Sequence, residues 1–188
     1  MGAGIMPICI RGGTTLCVLL GQERYDNKWS DFGGGRNPGE SIIKTALREG
    51  EEELNGILGT GRTLASLVRN NYVAEIDNGD TYSSFIFILR YDNRLPQYFN
   101  NNNLFIEKKL QTIVEGSYEK HMGLFEKQRI KWFTLEEIEN DYSIFRPHFV
   151  PILKTVVTNK SNFYMHLSRE IKSDRSDRDR GSNTLIIK

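Results

Sequence analysis

The chain has 188 residues, enough for one domain with a sizeable core and short for two. Apolar residues make up 38% and charged residues 26%, the balance of a globular protein, and no apolar run approaches the roughly 18 residues that span a bilayer. Twenty-five Lys and Arg against 24 Asp and Glu give a formal charge of +1, so no global field selects nucleic acid or membrane, and any such preference must be local.

The first residues lack the basic, apolar, small-residue order of a signal peptide, and Met6 stands where a myristoylation signal needs Ser or Thr. Cys9 and Cys17 fall inside apolar runs, which suits small core residues in a reducing compartment, the cytoplasm, better than a disulfide framework. Ile5 to Ile10 and Thr15 to Leu20 read as two strands joined through Arg11-Gly12-Gly13, a hairpin signal. After a polar stretch from Gln22 to Lys28, Trp29 to Phe32 reads as a strand that runs into Gly33 to Gly35 and the turn Asn37-Pro38-Gly39. From Ser41 to Leu54, Ile43, Ala46, Leu47, Gly50 and Leu54 recur at helical spacing, with Ser41 or a neighbour as N-cap and Asn55-Gly56 as a left-handed end.

Leu64 to Ile76 and Thr81 to Tyr91 are β-rich runs joined through Asp77 to Asp80, which makes the sheet mixed or antiparallel and not doubly wound. Gln97 to Gly123 reads as an insertion between strands. It opens on Asn100 to Asn103, a low-complexity run expected as a solvated loop, and a helix is expected from Leu104 to Val114. A strand follows at Gln128 to Phe133, then a capping box opening at Thr134 and a last helix over Pro147 to Val157. Arg169 to Arg180 alternates charge, with Ile171 its one apolar residue, so the expected organisation is a domain over residues 1–167 and a flexible tail over 168–188.

Glu49, Glu52 and Glu53 lie within an arc of about 100° on the helix, beside its apolar stripe. Like charges at these spacings repel, and more strongly as the site dries, so three carboxylates on one face favour a cation. With only oxygen ligands at hand, the ion expected is Mg²⁺ or Mn²⁺. The bland alternative is a solvated acidic face, which charge runs usually are. The surrounding spacing argues against it: Gly34, Glu40, Arg48, Glu49, Glu52 and Glu53 fall at the intervals G-x(5)-E-x(7)-R-E-U-x-E-E-x-G-U, with U aliphatic.

On those residues the chain resembles the Nudix (MutT-like) hydrolase family, and the lead-in from Trp29 to Gly34 looks like that of Nudix proteins of large DNA viruses. The box spans Gly34 to Gly56. Gly50 departs from it at an aliphatic position, and Asn55 stands where a glycine is usual. The resemblance implies an α/β (α+β) fold, an α/β/α sandwich with a mixed central sheet. It also implies attack of metal-activated water on a phosphoanhydride. Residue by residue it implies Glu49, Glu52 and Glu53 as metal ligands, with Glu53 and Glu52 catalytic, Arg48 orienting them, Glu40 pairing within loop and helix, and Gly34 opening the backbone to phosphates. Arg24 and Arg36 are candidates for a fixed charge near the phosphates. The resemblance puts the general base either inside the box or in a loop before the late strand, where Glu126 is the candidate, with Glu119 and Glu115 behind it. Trp29, Tyr72, Tyr82 and Phe125 are candidate platforms for a base. Nucleoside diphosphate-linked substrates are expected, mRNA cap hydrolysis being attractive because Lys108, Lys109 and Lys120 suit an RNA strand. Inositol pyrophosphates, dinucleoside polyphosphates and damaged nucleoside triphosphates suit the same residues, and a non-catalytic nucleotide-binding module is the reading of another class.

Overall fold

The computed structural model describes residues 1–79, 81–113 and 126–176. The opening hairpin forms as expected but is longer: β1 (Gly2–Arg11) pairs antiparallel with β2 (Thr15–Glu23), with Ile8 opposite Val18. Gln22 and Glu23, expected in a polar connection, are therefore strand residues, and both are buried. β3 (Trp29–Ser30) pairs with the end of β2, and β4 (Phe32–Gly35) lies antiparallel to β1. Helix α1 (Ile42–Glu53) then crosses the sheet. It ends as its sequence requires: Asn55 takes a φ of 50°, Asn55 N–H bonds Glu52 O at 3.0 Å, and Gly56 N–H bonds Glu51 O at 2.9 Å.

Residues from Arg62 to Asn70 form α2 and not a strand, a correction to the β-rich reading from Leu64. Leu64 and Val68, one turn apart, are both buried, and that helical spacing outweighed the β-branched content. β5 (Tyr72–Asp77) and β6 (Tyr82–Ile88) form the second hairpin, and β6 runs parallel to β1, so the sheet is mixed.

Helix α3 (Leu95–Ile113) begins before the expected helix and absorbs the asparagine run. Those asparagines are not a solvated loop. Asn100 Oδ1 accepts from Ile130 N–H at 2.8 Å, and Asn103, 1% exposed, donates to Lys127 O at 2.8 Å. Side-chain amides thus stand in for a neighbouring strand along β7 (Lys127–Thr134), whose other side pairs with β2.

The Thr134–Glu137 capping box opens α4 (Leu135–Asn140) as expected, and α5 (Val150–Thr158) carries Pro151 in its first turn. Helix α6 (Lys160–Ser176) continues into the segment expected to be a flexible tail. Phe163 and Leu167 anchor its first turns in the core, and adding turns to a formed helix is easier than nucleating one. Residues 177–188 and 114–125, the latter taking in the rest of the expected insertion, lie outside the described residues.

Among the described residues there are seven strands, in the order β3-β2-β1-β6-β5 with β4 on β1 and β7 on β2, and six α-helices. One sheet face packs Ile5, Leu19, Phe32 and Phe87 against α1, α2 and α3 through Ala46, Leu64 and Phe99. The other packs Met6, Ile8, Val18 and Leu20 against Ile138 of α4, Ile152 and Val156 of α5, and Phe163 of α6. This is the expected α/β/α sandwich. No helix among the described residues is long and apolar enough to cross a membrane.

Candidate active site

Close approach of α1 to the sheet sets the geometry. A Cβ on Gly50 would lie 2.4 Å from Cδ1 of Ile5, a fully buried residue of β1, so the departure from an aliphatic residue lets the helix sit tightly. Gly33 to Gly35 belong to strand β4, and at Gly34 a Cβ would come within 2.5 Å of Glu49 Oε2, so this glycine strand and the first acid of the helix are in direct contact.

Arg48 organises the outer acids. Its Nε and Nη2 donate to Glu40 Oε1 and Oε2, each at 3.1 Å. Nη1 donates to Glu49 at 2.7 Å and to Glu52 at 3.3 Å, and Nη2 also reaches Gly35 O at 2.9 Å. Glu40 further accepts from Asn37 N–H at 3.2 Å and Thr45 Oγ1 at 3.0 Å. Hydrogen bonding from Arg48 is the main reason its carboxyl is held down to about 2. Burial instead pushes Glu49 up, against the pull of Arg48, and the charges of Glu52 and Glu126 add to the rise. Glu126 is thus close enough for Glu49 to feel its charge, and its carbonyl accepts from Arg24 N–H at 2.8 Å.

Glu53 lies deeper, only 2% exposed. Its Oε2 accepts from Gly33 N–H at 2.7 Å and stands 3.2 Å from Lys127 Nζ. Burial pushes Glu53 well up, with Lys127 opposing that rise. Lys127 is fully buried, donates to Ser30 Oγ at 2.7 Å and is paired with Glu23, which Arg146 Nη1 approaches at 3.3 Å. Asp31 sits beside them, accepting from Tyr82 Oη at 2.8 Å and from Ser84 Oγ, and burial raises its carboxyl to about 6.

Sequence reasoning missed Glu23 and Lys127. Alternation from Phe133 back through Lys131 and Arg129 assigns Lys127 to the opposite sheet face. The register shifts at Gln22/Glu23, so that Arg129 pairs with Gln22 but Lys127 pairs with Glu23. The extra residue, Gln128, donates to Gln22 Oε1 at 3.0 Å and Asn27 Oδ1 at 2.7 Å, and this bulge turns Lys127 towards the acids.

Among the described residues no three His, Cys, Asp or Glu side chains are gathered around one point as an ion would hold them, since Glu49 and Glu52 face Arg48 while Glu53 faces Lys127. The donor set nevertheless suits a hard cation. It offers carboxylate oxygens on successive turns of one helix, beside a strand whose Gly34 lies directly against Glu49.

The remaining candidates are dispersed. Trp29 is 6% exposed, edge-on to Phe133 at 4.8 Å with Arg129 over its ring, so it is a core residue with no open face for a base. Tyr82 is likewise buried, and Tyr72 is half-buried on β5. Arg36 is exposed beside Gly35. Phe125, Glu115, Glu119 and Lys120 lie outside the described residues.

A family model described as NUDIX domain matches residues 2–153. No curated protein matches the chain. Among solved structures, it is similar to a bifunctional NMN adenylyltransferase/ADP ribose pyrophosphatase of Francisella tularensis, at 16% identity and a TM-score of 0.51 over 84% of this chain and 41% of that one. It is also similar to a C. elegans Ap4A hydrolase at 15% identity and a TM-score of 0.44, over 94% and 98% of the two chains. A third is the M. smegmatis protein RenU, at 13% identity and a TM-score of 0.43, over 86% of each chain. At these identities the likeness concerns the fold.

Proposed function

Because the chain belongs to the Nudix family, we propose that it is a divalent-metal-dependent pyrophosphohydrolase cleaving the phosphoanhydride of a nucleoside diphosphate-linked substrate. The observation that carries this reading is the packing of an acid-lined helix against the glycine strand β4, with Arg48 gathering Glu40, Glu49 and Glu52 and with Glu53 on Gly33 N–H. Glu49, Glu52 and Glu53 would hold Mg²⁺ or Mn²⁺. Bound there, the ion supplies Lewis acidity, lowering the pKa of water and offsetting phosphate charge.

The chain's own groups do the rest. Arg48 holds the outer acids in one cluster, and its five donors suit several carboxylates at once. Gly34 on β4 lets the backbone lie directly against the Glu49 carboxylate, where a Cβ would collide. Glu126 takes the proton from the attacking water; its exposure and its proximity to Glu49 support that role. We take residues 1–167 as the catalytic domain, Leu167 being the last buried apolar side chain among the described residues. Cys9 and Cys17, buried and unbridged, are in keeping with a cytoplasmic setting.

Capped RNA is the second reading. It is favoured by α3, which exposes Lys108 and Lys109 together with Tyr98 and Phe105, a basic surface with aromatic rings that bases can stack on. The test is Mg²⁺-dependent product release from capped RNA, dinucleoside polyphosphates, nucleotide sugars, oxidised nucleoside triphosphates and inositol pyrophosphates. Rapid cleavage of one member names the substrate class. Silence across the panel with nucleotide still bound overturns the hydrolase reading in favour of a binding module.

A further inference from the structure

We infer that Lys127 is a positioning residue that competes with the divalent ion for Glu53, so that the Lys127–Glu23 pair sets how tightly the site holds metal. The inference rests on the reading that the acid helix binds such an ion.

An ammonium carries three protons, and three oxygens surround this one: Glu23 Oε1, Ser30 Oγ at 2.7 Å and Glu53 Oε2 at 3.2 Å. Lys127 and Glu23 are 0% and 4% exposed, so water does not share these contacts. Glu53 Oε2 accepts from Gly33 N–H at 2.7 Å and faces the ammonium at 3.2 Å, so an ion that approaches Glu53 meets a carboxylate already engaged on that oxygen. Ser30 Oγ donates to Glu23 Oε1 at 3.0 Å, which ties the lysine's other two partners together. A buried ammonium this close to a ligand carboxylate offsets charge that a metal would otherwise meet. The more firmly Glu23 and Ser30 hold Lys127, the more of Glu53 is left for the ion. The β-bulge at Gln128, which places Lys127 on this face, is the structural device that creates the competition.

Two substitutions move the competition in opposite directions. Lys127→Met keeps an unbranched side chain, one heavy atom shorter, and removes the charge. Glu23→Gln removes the lysine's other anion and leaves the ammonium to Glu53. The measurement is Mn²⁺ binding to the substrate-free full chain, by electron paramagnetic resonance titration of free Mn²⁺ at fixed pH, with thermal melts to confirm folding. Lys127→Met is expected to bind Mn²⁺ on the order of tenfold more tightly and Glu23→Gln on the order of tenfold more weakly. Arg146→Met removes a positive charge next to Glu23 that does not touch Glu53, and is expected to stay within about twofold of the parent.

A merely structural role for the cluster would weaken binding in both variants, which overturns the inference. Equal tightening in Arg146→Met and Lys127→Met would mean a general field and not a contact, and also overturns it. If Lys127→Met does not fold, Glu23→Gln against Arg146→Met still decides: unchanged binding in Glu23→Gln refutes the competition. A parent chain that binds no Mn²⁺ defeats the metal reading itself, whereas a parent that binds with unmoved variants defeats only this inference.

Discussion

Replacing Asp31 by Asn tests whether the polar cluster beside the glycines of β4 is held at an electrostatic cost. Asp31 is fully buried and accepts from Tyr82 and Ser84, and burial raises its carboxyl from the ordinary 3.8 to about 6. An acid whose pKa is raised by folding stabilises the fold fully below the unfolded value, and that contribution is lost as pH rises through the folded value. The interval from 3.8 to about 6 corresponds to about 3 kcal/mol, because each pKa unit is worth about 1.4 kcal/mol. Asparagine has nearly the same shape and keeps one acceptor for Tyr82, while its amide can donate to the Ser84 hydroxyl. Asp31→Asn should therefore match the parent near pH 4 and exceed it by up to about 3 kcal/mol above pH 6, or about 6–12 °C in melting temperature for a chain of this size. Thermal and urea denaturation of both proteins from pH 4 to pH 8 measure the gap. Parallel stability curves across that range would refute the reasoning.

Gly50→Ala sets a gain of about 1 kcal/mol in helix propensity against overpacking of about 1–3 kcal/mol, because the new methyl meets Ile5 Cδ1 at 2.4 Å inside a closed core. A net loss is expected in urea titrations, and a gain would mean that α1 moves freely on the sheet. Asn100→Ala leaves Ile130 N–H without its partner and should cost about 1–3 kcal/mol, with Asn100→Asp, which still accepts, losing less. Equal melting temperatures for the alanine variant and the parent would remove the edge-capping role from the asparagine run.

The parts of this structure that were legible in the sequence are those decided within a few residues. The opening hairpin, the left-handed Asn55 at the end of α1 and the Thr134–Glu137 capping box each rest on local backbone chemistry, and each formed. The box spacing likewise placed Glu40 and Arg48 eight residues apart, where they meet in two hydrogen bonds. Misread elements depended on distant partners. Asn100 to Asn103 look solvated until β7 is known to need an edge cap, and Leu64 to Asn70 look like strand until Leu64 and Val68 find one buried face. Glu23 and Lys127 are 104 residues apart and meet only through a register shift that no periodicity announces.

The most direct test of the proposed chemistry is ³¹P NMR of a cleavable nucleoside diphosphate-linked substrate incubated with the parent chain and with Glu53→Gln, each with Mg²⁺ and again after chelation. An acid helix that holds the catalytic ion predicts new phosphomonoester or phosphate signals from the parent with Mg²⁺ alone, and none from Glu53→Gln although it melts as a folded protein. Equal cleavage by Glu53→Gln, or cleavage that persists in chelator, would contradict it.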